Sequence, residues 1–191
     1  MIPVVDIFAG PGGLSEGFSS VRDGKGQAAF DVVLSVEKEL HEFETLRLRT
    51  FFRQFPTGQA PDDYYRFLCG EKEVSELYER HPSQSAIASA KTWRAELGHE
   101  DLPSWRVSER IDRALGKCRD WVLIGGPPCQ AYSVAGRSRN QAKNGYNPET
   151  DIRQRLYVEY LQILGDSWTE SRNSTAGNPF NLPQRMLQLL L

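Results

Sequence analysis

Three short stretches of this chain hold residue types that do chemistry. Cys129 follows the apolar run Trp121-Val122-Leu123-Ile124 and the turn Gly125-Gly126-Pro127-Pro128. The run fits a buried strand, and the turn stops it and delivers the thiol at the strand's carboxyl end, beside the crevice where open α/β sheets bind ligands. A thiol in that place is a nucleophile once ionised, and a buried structural cysteine in a tight turn is the alternative. The second stretch, Gly10-Pro11-Gly12-Gly13, is a turn without bulky side chains, followed by a helix start. Its backbone amides suit the polar part of a nucleotide-like ligand, or serve a tight connection only. The spacing is neither the dinucleotide fingerprint nor the P-loop. The third is Glu37, a carboxylate at the end of an apolar run, placed to accept ribose hydroxyls; a carboxylate favoured by the dipole of the next helix is the alternative.

These residues need rigid supports, and the flanking sequence supplies them. Ile2 to Phe8 reads as a buried strand and Leu14 to Val21 as a helix, so the glycine turn sits inside a strand, loop, helix unit. Asp31 to Val36 reads as a second buried strand leading to Glu37, and Lys38 to Phe52 as a helix. From Pro56 to about Gly116 the text is charged and helical, with EKEVSELYERH and SAIASAKTWRAELG carrying helical periodicity and Val74, Leu77 and Tyr78 on one face. His41, His81 and His99 stand apart and receive no role. Asp101 is a candidate for an adenine amino group, with a helix-cap or loop carboxylate as the alternative.

Beyond Cys129 the loop is polar. Between Cys129 and Arg155, the cations Arg137, Arg139, Lys143, Arg153 and Arg155 face Glu149 and Asp151, a local surplus of three positive charges. With Ser133 they suit a phosphate backbone, and a solvated loop reads equally well from the charges alone. Asp151 to Leu164 resumes a helix whose Ile152, Leu156, Tyr160 and Ile163 or Leu164 share a face. Gly165 to Leu191 is turn-rich, then apolar at its end, and reads as an atypical tail.

Composition bounds the options. The 191 residues suffice for one domain, and 39% hydrophobic with 25% charged residues is ordinary soluble protein. A net charge of -2 gives no global attraction for nucleic acid, so a basic surface has to be local. Three cysteines at these spacings make neither a disulfide framework nor a metal site, which suits a reducing cytoplasm. No membrane partner and no metal are expected.

Taken in order, DIFAGPGGLSEGF, VEKE and GGPPCQAYSVAGR resemble the S-adenosylmethionine loop, the acidic strand end and the Pro-Cys catalytic motif of cytosine-C5 DNA methyltransferases, and DIRQRLYVEYLQIL resembles the helix that follows them. The similarity covers Met1 to Phe52 and Trp121 to Leu164. It implies a doubly wound, Rossmann-like α/β methyltransferase fold with a helical insertion at about 56–116, incomplete at its carboxyl end, with residues 166–191 as the tail. It further implies S-adenosyl-L-methionine as cofactor, DNA as partner and a place in restriction-modification. Residue by residue, Phe8, Ala9, Gly10, Gly12, Gly13 and Leu14 would wrap the cofactor, Glu37 would hold its ribose, Pro127 would line the pocket, and Leu156 would pack nearby. Cys129 would be the nucleophile, and Ser133 and Arg137 would touch DNA.

Two departures accompany the resemblance. No Glu-Asn-Val motif, whose glutamate contacts cytosine N3 in the family, follows Leu164, and the target-recognition region is absent. The chain thus resembles the amino-terminal part of the enzyme, and a complementing carboxyl-terminal chain is a further expected partner. A transfer-RNA cytosine-C5 methyltransferase, a non-catalytic cofactor-binding remnant or half of a split enzyme, and a plain α/β domain with a structural Cys129 are the other readings.

Overall fold

A computed structural model describes residues 1–126, 156, 160–163, 165 and 187–190. The chain opens with β1 (Ile2–Ile7), α1 (Gly13–Ser20), β2 (Phe30–Glu37) and α2 (Leu40–Phe52). It continues through α3 (Asp62–Leu68), α4 (Val74–Arg80), α5 (Pro82–Lys91), β3 (Thr92–Arg94), α6 (Ser104–Leu115) and β4 (Val122–Gly125), and β5 (Leu187–Leu190) closes the set. The sheet runs β3-β2-β1-β4-β5 with every pairing parallel. The strand order reverses between β1 and β4, so the carboxyl ends of these two strands form the switch point of a doubly wound fold.

Both faces of the sheet are covered, which is why its strands read as continuous apolar runs. On one face Val5, Ile7, Leu34, Val36 and Leu123 pack with Val107, Ile111 and Leu115 of α6 and with Tyr160 and Ile163. The three α6 residues recur every fourth position, the stripe an amphipathic helix buries. On the other face Val4, Val122 and Ile124 meet Leu14 and Phe18 of α1. The extra residue Val33 makes a bulge opposite Val4 and Val5. Away from the sheet, Phe51, Leu77 and Ala88 tie α2, α4 and α5 into a satellite core, with Tyr78 packed against it.

Several boundaries move from the sequence reading. Residues 92–94 lie inside a stretch with helical periodicity, yet they form β3 against Ser35–Glu37 of β2. β-branched Thr92 and aromatic Trp93 fit a pleated surface, and sheet pairing overrides three residues of helical pattern. Gly125 does not stop the last apolar run: it belongs to β4, opposite Ile7. The helix expected from Lys38 starts at Leu40, because the Lys38 and Glu39 amides turn back to the Glu37 carboxylate. At the far end, Leu187–Leu190 pairs in parallel with β4. Leu156 and residues 160–163 are helical, with Leu156, Tyr160 and Ile163 buried, as the expected apolar face requires. Ile152 and Leu164 lie outside the described residues.

Candidate functional site

The glycine turn leaves β1 through Phe8, which holds φ 57°, a left-handed conformation uncommon outside glycine. Gly10 and Gly12 follow with φ 55° and 87°. Such angles favour residues without a Cβ, and they swing the chain sharply into α1. The Ala9 N–H donates to the Val36 carbonyl at 3.0 Å, and the Gly12 N–H closes the turn on the Ala9 carbonyl at 3.0 Å. From α2, the Arg49 guanidinium donates to the Pro11 carbonyl at 3.0 Å.

Glu37 is the hub of this corner. Its Oε2 accepts the Gly10 N–H at 2.8 Å, and its Oε1 accepts the Lys38 and Glu39 N–H groups, each at 2.8 Å. The carboxylate is buried, and backbone donors satisfy it as a buried charge requires. With two lone-pair directions per oxygen, Oε2 keeps one for a hydroxyl.

In front of Glu37 lies a cavity of about 370 Å³ at the carboxyl ends of the strands. Phe8, Val36, Ala95, Leu97 and Leu156 give it apolar walls, and Glu37, Lys38 and Glu39 give it a polar side. Gly126, the residue after β4, completes the lining. Lys38 and Glu96 pair at 3.4 Å, joining the β2 exit to the β3 exit. The lining fits a nucleoside: apolar walls for a base, a buried carboxylate for ribose hydroxyls and a glycine turn for the remaining polar part.

Of the expected site residues, Phe8, Glu37 and Leu156 come together around this cavity, and Ala9, Gly10, Gly12 and Gly13 form the turn beside it. Leu14 packs instead against Val4, Val122 and Ile124 under α1. Asp101 is exposed, its N–H donates to His99 Nδ1 at 3.3 Å, and it is not among the described residues that line the cavity. Pro127, Cys129, Ser133 and Arg137 lie outside the described residues.

Three residues around the site carry no signal in the sequence reading. Ala95 and Leu97 follow β3, a strand hidden by helical periodicity. Asp6 sits within β1 with no exposure, where its Oδ2 accepts the Ser15 hydroxyl at 2.5 Å, and Ser15 lies 3.2 Å from the Ser35 hydroxyl. Burial pushes the Asp6 carboxyl up to about 6, against the lowering effect of the Ser15 hydroxyl and amide.

Comparison with known proteins gives a consistent picture. The type II methyltransferase M.Bpa9945I of Bacillus paralicheniformis is 29% identical over 178 residues, covering 85% of this chain and 38% of its own length. The type II methyltransferase M1.HphI of Haemophilus parahaemolyticus is 26% identical over 160 residues, covering 84% of this chain and 28% of its own. The chain spans less than half the length of the curated relatives it matches. No family model matches, and no solved structure matches. Among the described residues, no helix is long and apolar enough to cross a membrane. By fold and by sequence similarity over most of its length, this chain is a Rossmann-like α/β protein related to type II methyltransferases.

Proposed function

We propose that this chain is the cofactor-binding and nucleophile-bearing part of a DNA (cytosine-5-)-methyltransferase that uses S-adenosyl-L-methionine. The observation that carries the reading is the Glu37 hub. One buried carboxylate ties the glycine turn to the end of β2 and keeps an acceptor beside a nucleoside-sized cavity at the switch point. When bound, the cofactor supplies an electrophilic methyl group on a sulfonium sulfur. Glu37 accepts ribose hydroxyls, Phe8, Leu97 and Leu156 exclude water from the base, and the glycine turn leaves room for the methionine part. The type II designation of the relatives supports DNA over transfer RNA as the substrate.

Cys129 follows Gly126, which lines the same cavity, by three residues. In this reading its thiolate adds to C6 of a cytosine swung out of the duplex, breaking the 5,6 double bond and making C5 nucleophilic. C5 takes the methyl group as the sulfonium S–CH3 bond breaks and its electron pair stays on the sulfur as a thioether. A base removes the C5 proton, and the thiolate leaves as the ring double bond returns. Ser133, Arg137 and the neighbouring cations hold the DNA backbone.

The test is a duplex carrying 5-fluorocytosine, incubated with S-adenosylmethionine, with and without a complementing carboxyl-terminal chain. Fluorine at C5 replaces the proton that a base must remove and cannot leave as a cation, so elimination stops, the Cys129 adduct accumulates and the protein shifts on a denaturing gel. Cys129→Ala abolishes the adduct. Methyl transfer that survives Cys129→Ala overturns the cytosine-C5 mechanism.

A further inference from the structure

We propose that Asp6 is a positioning residue for the cofactor site: its buried carboxylate, held by Ser15, fixes the start of α1 and so the shape of the Gly10–Gly13 turn. The inference rests on the cofactor reading above and adds to it a residue that touches no ligand.

The geometry gives the reason. α1 begins at Gly13 with Gly12 as its N-terminal flanking residue, and a glycine has no side chain with which to cap the free amides of the first turn. Asp6 holds the first turn from the strand beneath, through the Ser15 side chain. Its Oδ2 receives the Ser15 hydroxyl at 2.5 Å, in the first turn, and the nearby Ser15 amide favours the ionised form. Ser15 then reaches Ser35 of β2 at 3.2 Å. One buried chain of groups therefore spans β1, α1 and β2 directly under the glycine turn. From above, Glu37 pins the same turn through Gly10 at 2.8 Å. The turn is clamped between two carboxylates, one at its entrance and one below its exit.

A buried carboxylate is a costly way to hold a serine, and Asp6 Oδ1 has no hydrogen-bond partner among the described residues. That cost is a reason to expect a task for the charged form. Only the ionised carboxylate offers acceptors alone to the Ser15 hydroxyl. The charged and titratable groups around it are Glu37, which opposes its ionisation, and Arg53 near the end of α2, which favours it. Arg53 is itself ion-paired with Glu16 of α1. The Tyr160 phenol is pushed up to about 12 and stays neutral.

Two measurements on the full chain test this, using Asp6→Asn and Ser15→Ala beside the wild type. The first is hydrogen exchange of residues 9–15 without ligand. Exchange in this segment rises about tenfold in both variants at pH 7.5, while β1 and β4 stay protected; unchanged exchange in both overturns the proposal. The second is S-adenosylmethionine affinity between pH 5 and 8. Wild-type affinity falls as pH drops through about 6. Asp6→Asn binds about tenfold more weakly at pH 7.5 and loses this pH dependence, whereas a variant with wild-type affinity and profile overturns the proposal. If the wild type itself binds no S-adenosylmethionine, the cofactor reading fails, and the exchange measurement alone decides the role of Asp6.

Discussion

The Glu37 carboxylate accepts the Gly10 N–H at 2.8 Å across 27 positions of sequence. This single bond joins the turn that leaves β1 to the strand end that leaves β2, and the other oxygen of the same group holds the approach to α2. Three backbone donors therefore fix the orientation of this carboxylate. A preorganised acceptor costs nothing to reorient on binding, which is the property a cofactor site needs.

Glu37→Ala removes the acceptor of three backbone N–H groups. Loss of stability by about 2 kcal/mol is expected, because donors at a half-enclosed corner lose a charged partner. Affinity for S-adenosylmethionine falls at least tenfold by calorimetry. Glu37→Gln keeps the shape but presents one oxygen and an amide to donors that need acceptors. It loses affinity with a smaller loss of stability, and wild-type affinity in Glu37→Gln removes the ribose role.

How much of this site could be read from sequence depended on the kind of signal each residue carries. β1, β2 and β4 announced themselves as apolar runs because both faces of the sheet are buried. Glu37 stood out as the first charge after such a run. β3 has three residues, too few for a period, and lies between helical patterns; with it Ala95 and Leu97 were hidden. Asp6 was hidden differently, since its meaning depends on Ser15 and Ser35, which only folding brings together. Gly125 looked like the end of a strand, and only its opposition to Ile7 shows a pairing position.

Asp6 predicts a pH dependence of stability. Its carboxyl is raised from 3.8 to about 6 by burial, so between these values the folded chain binds more protons than the unfolded one. The contribution of this group is fully present below about 4 and is lost as pH rises through about 6, a change of about 3 kcal/mol at most. Urea unfolding at pH 4.5, 6 and 7.5 reads it as the difference between wild type and Asp6→Asn. That difference shifts in favour of Asp6→Asn as pH rises. A constant difference across the range refutes the assignment.

Asp63 behaves in the opposite sense. A 2.7 Å pair with Lys72, and a second contact with Arg80 at 3.4 Å, hold its carboxyl below the usual range. Its contribution is present above the unfolded value of 3.8 and is lost as pH falls through the lower folded value. The Lys72 side chain is only 6% exposed, so deleting its partner strands an ammonium group in a poor solvent. Asp63→Asn therefore lowers the melting temperature at pH 7 more than Lys72→Met does. The reverse order shows that Lys72 reaches water when unpaired.

Gly125 is held to glycine by proximity. A Cβ there would overlap the Ile7 carbonyl oxygen and lie 2.9 Å from Ile7 Cγ1, and the obstacle is backbone, which cannot rotate away. Gly125→Ala forces β1 and β4 apart at the switch point, where the expected cost is about 2 kcal/mol. Gly126 is the control: among the described residues, a Cβ there meets nothing within 4 Å. Gly126→Ala retains wild-type stability in urea, but its methyl group projects from a cavity-lining position and weakens cofactor binding. If both variants lose stability equally, the close approach of β4 to Ile7 is not what restricts this pair, and the turn after β4 is the sensitive element.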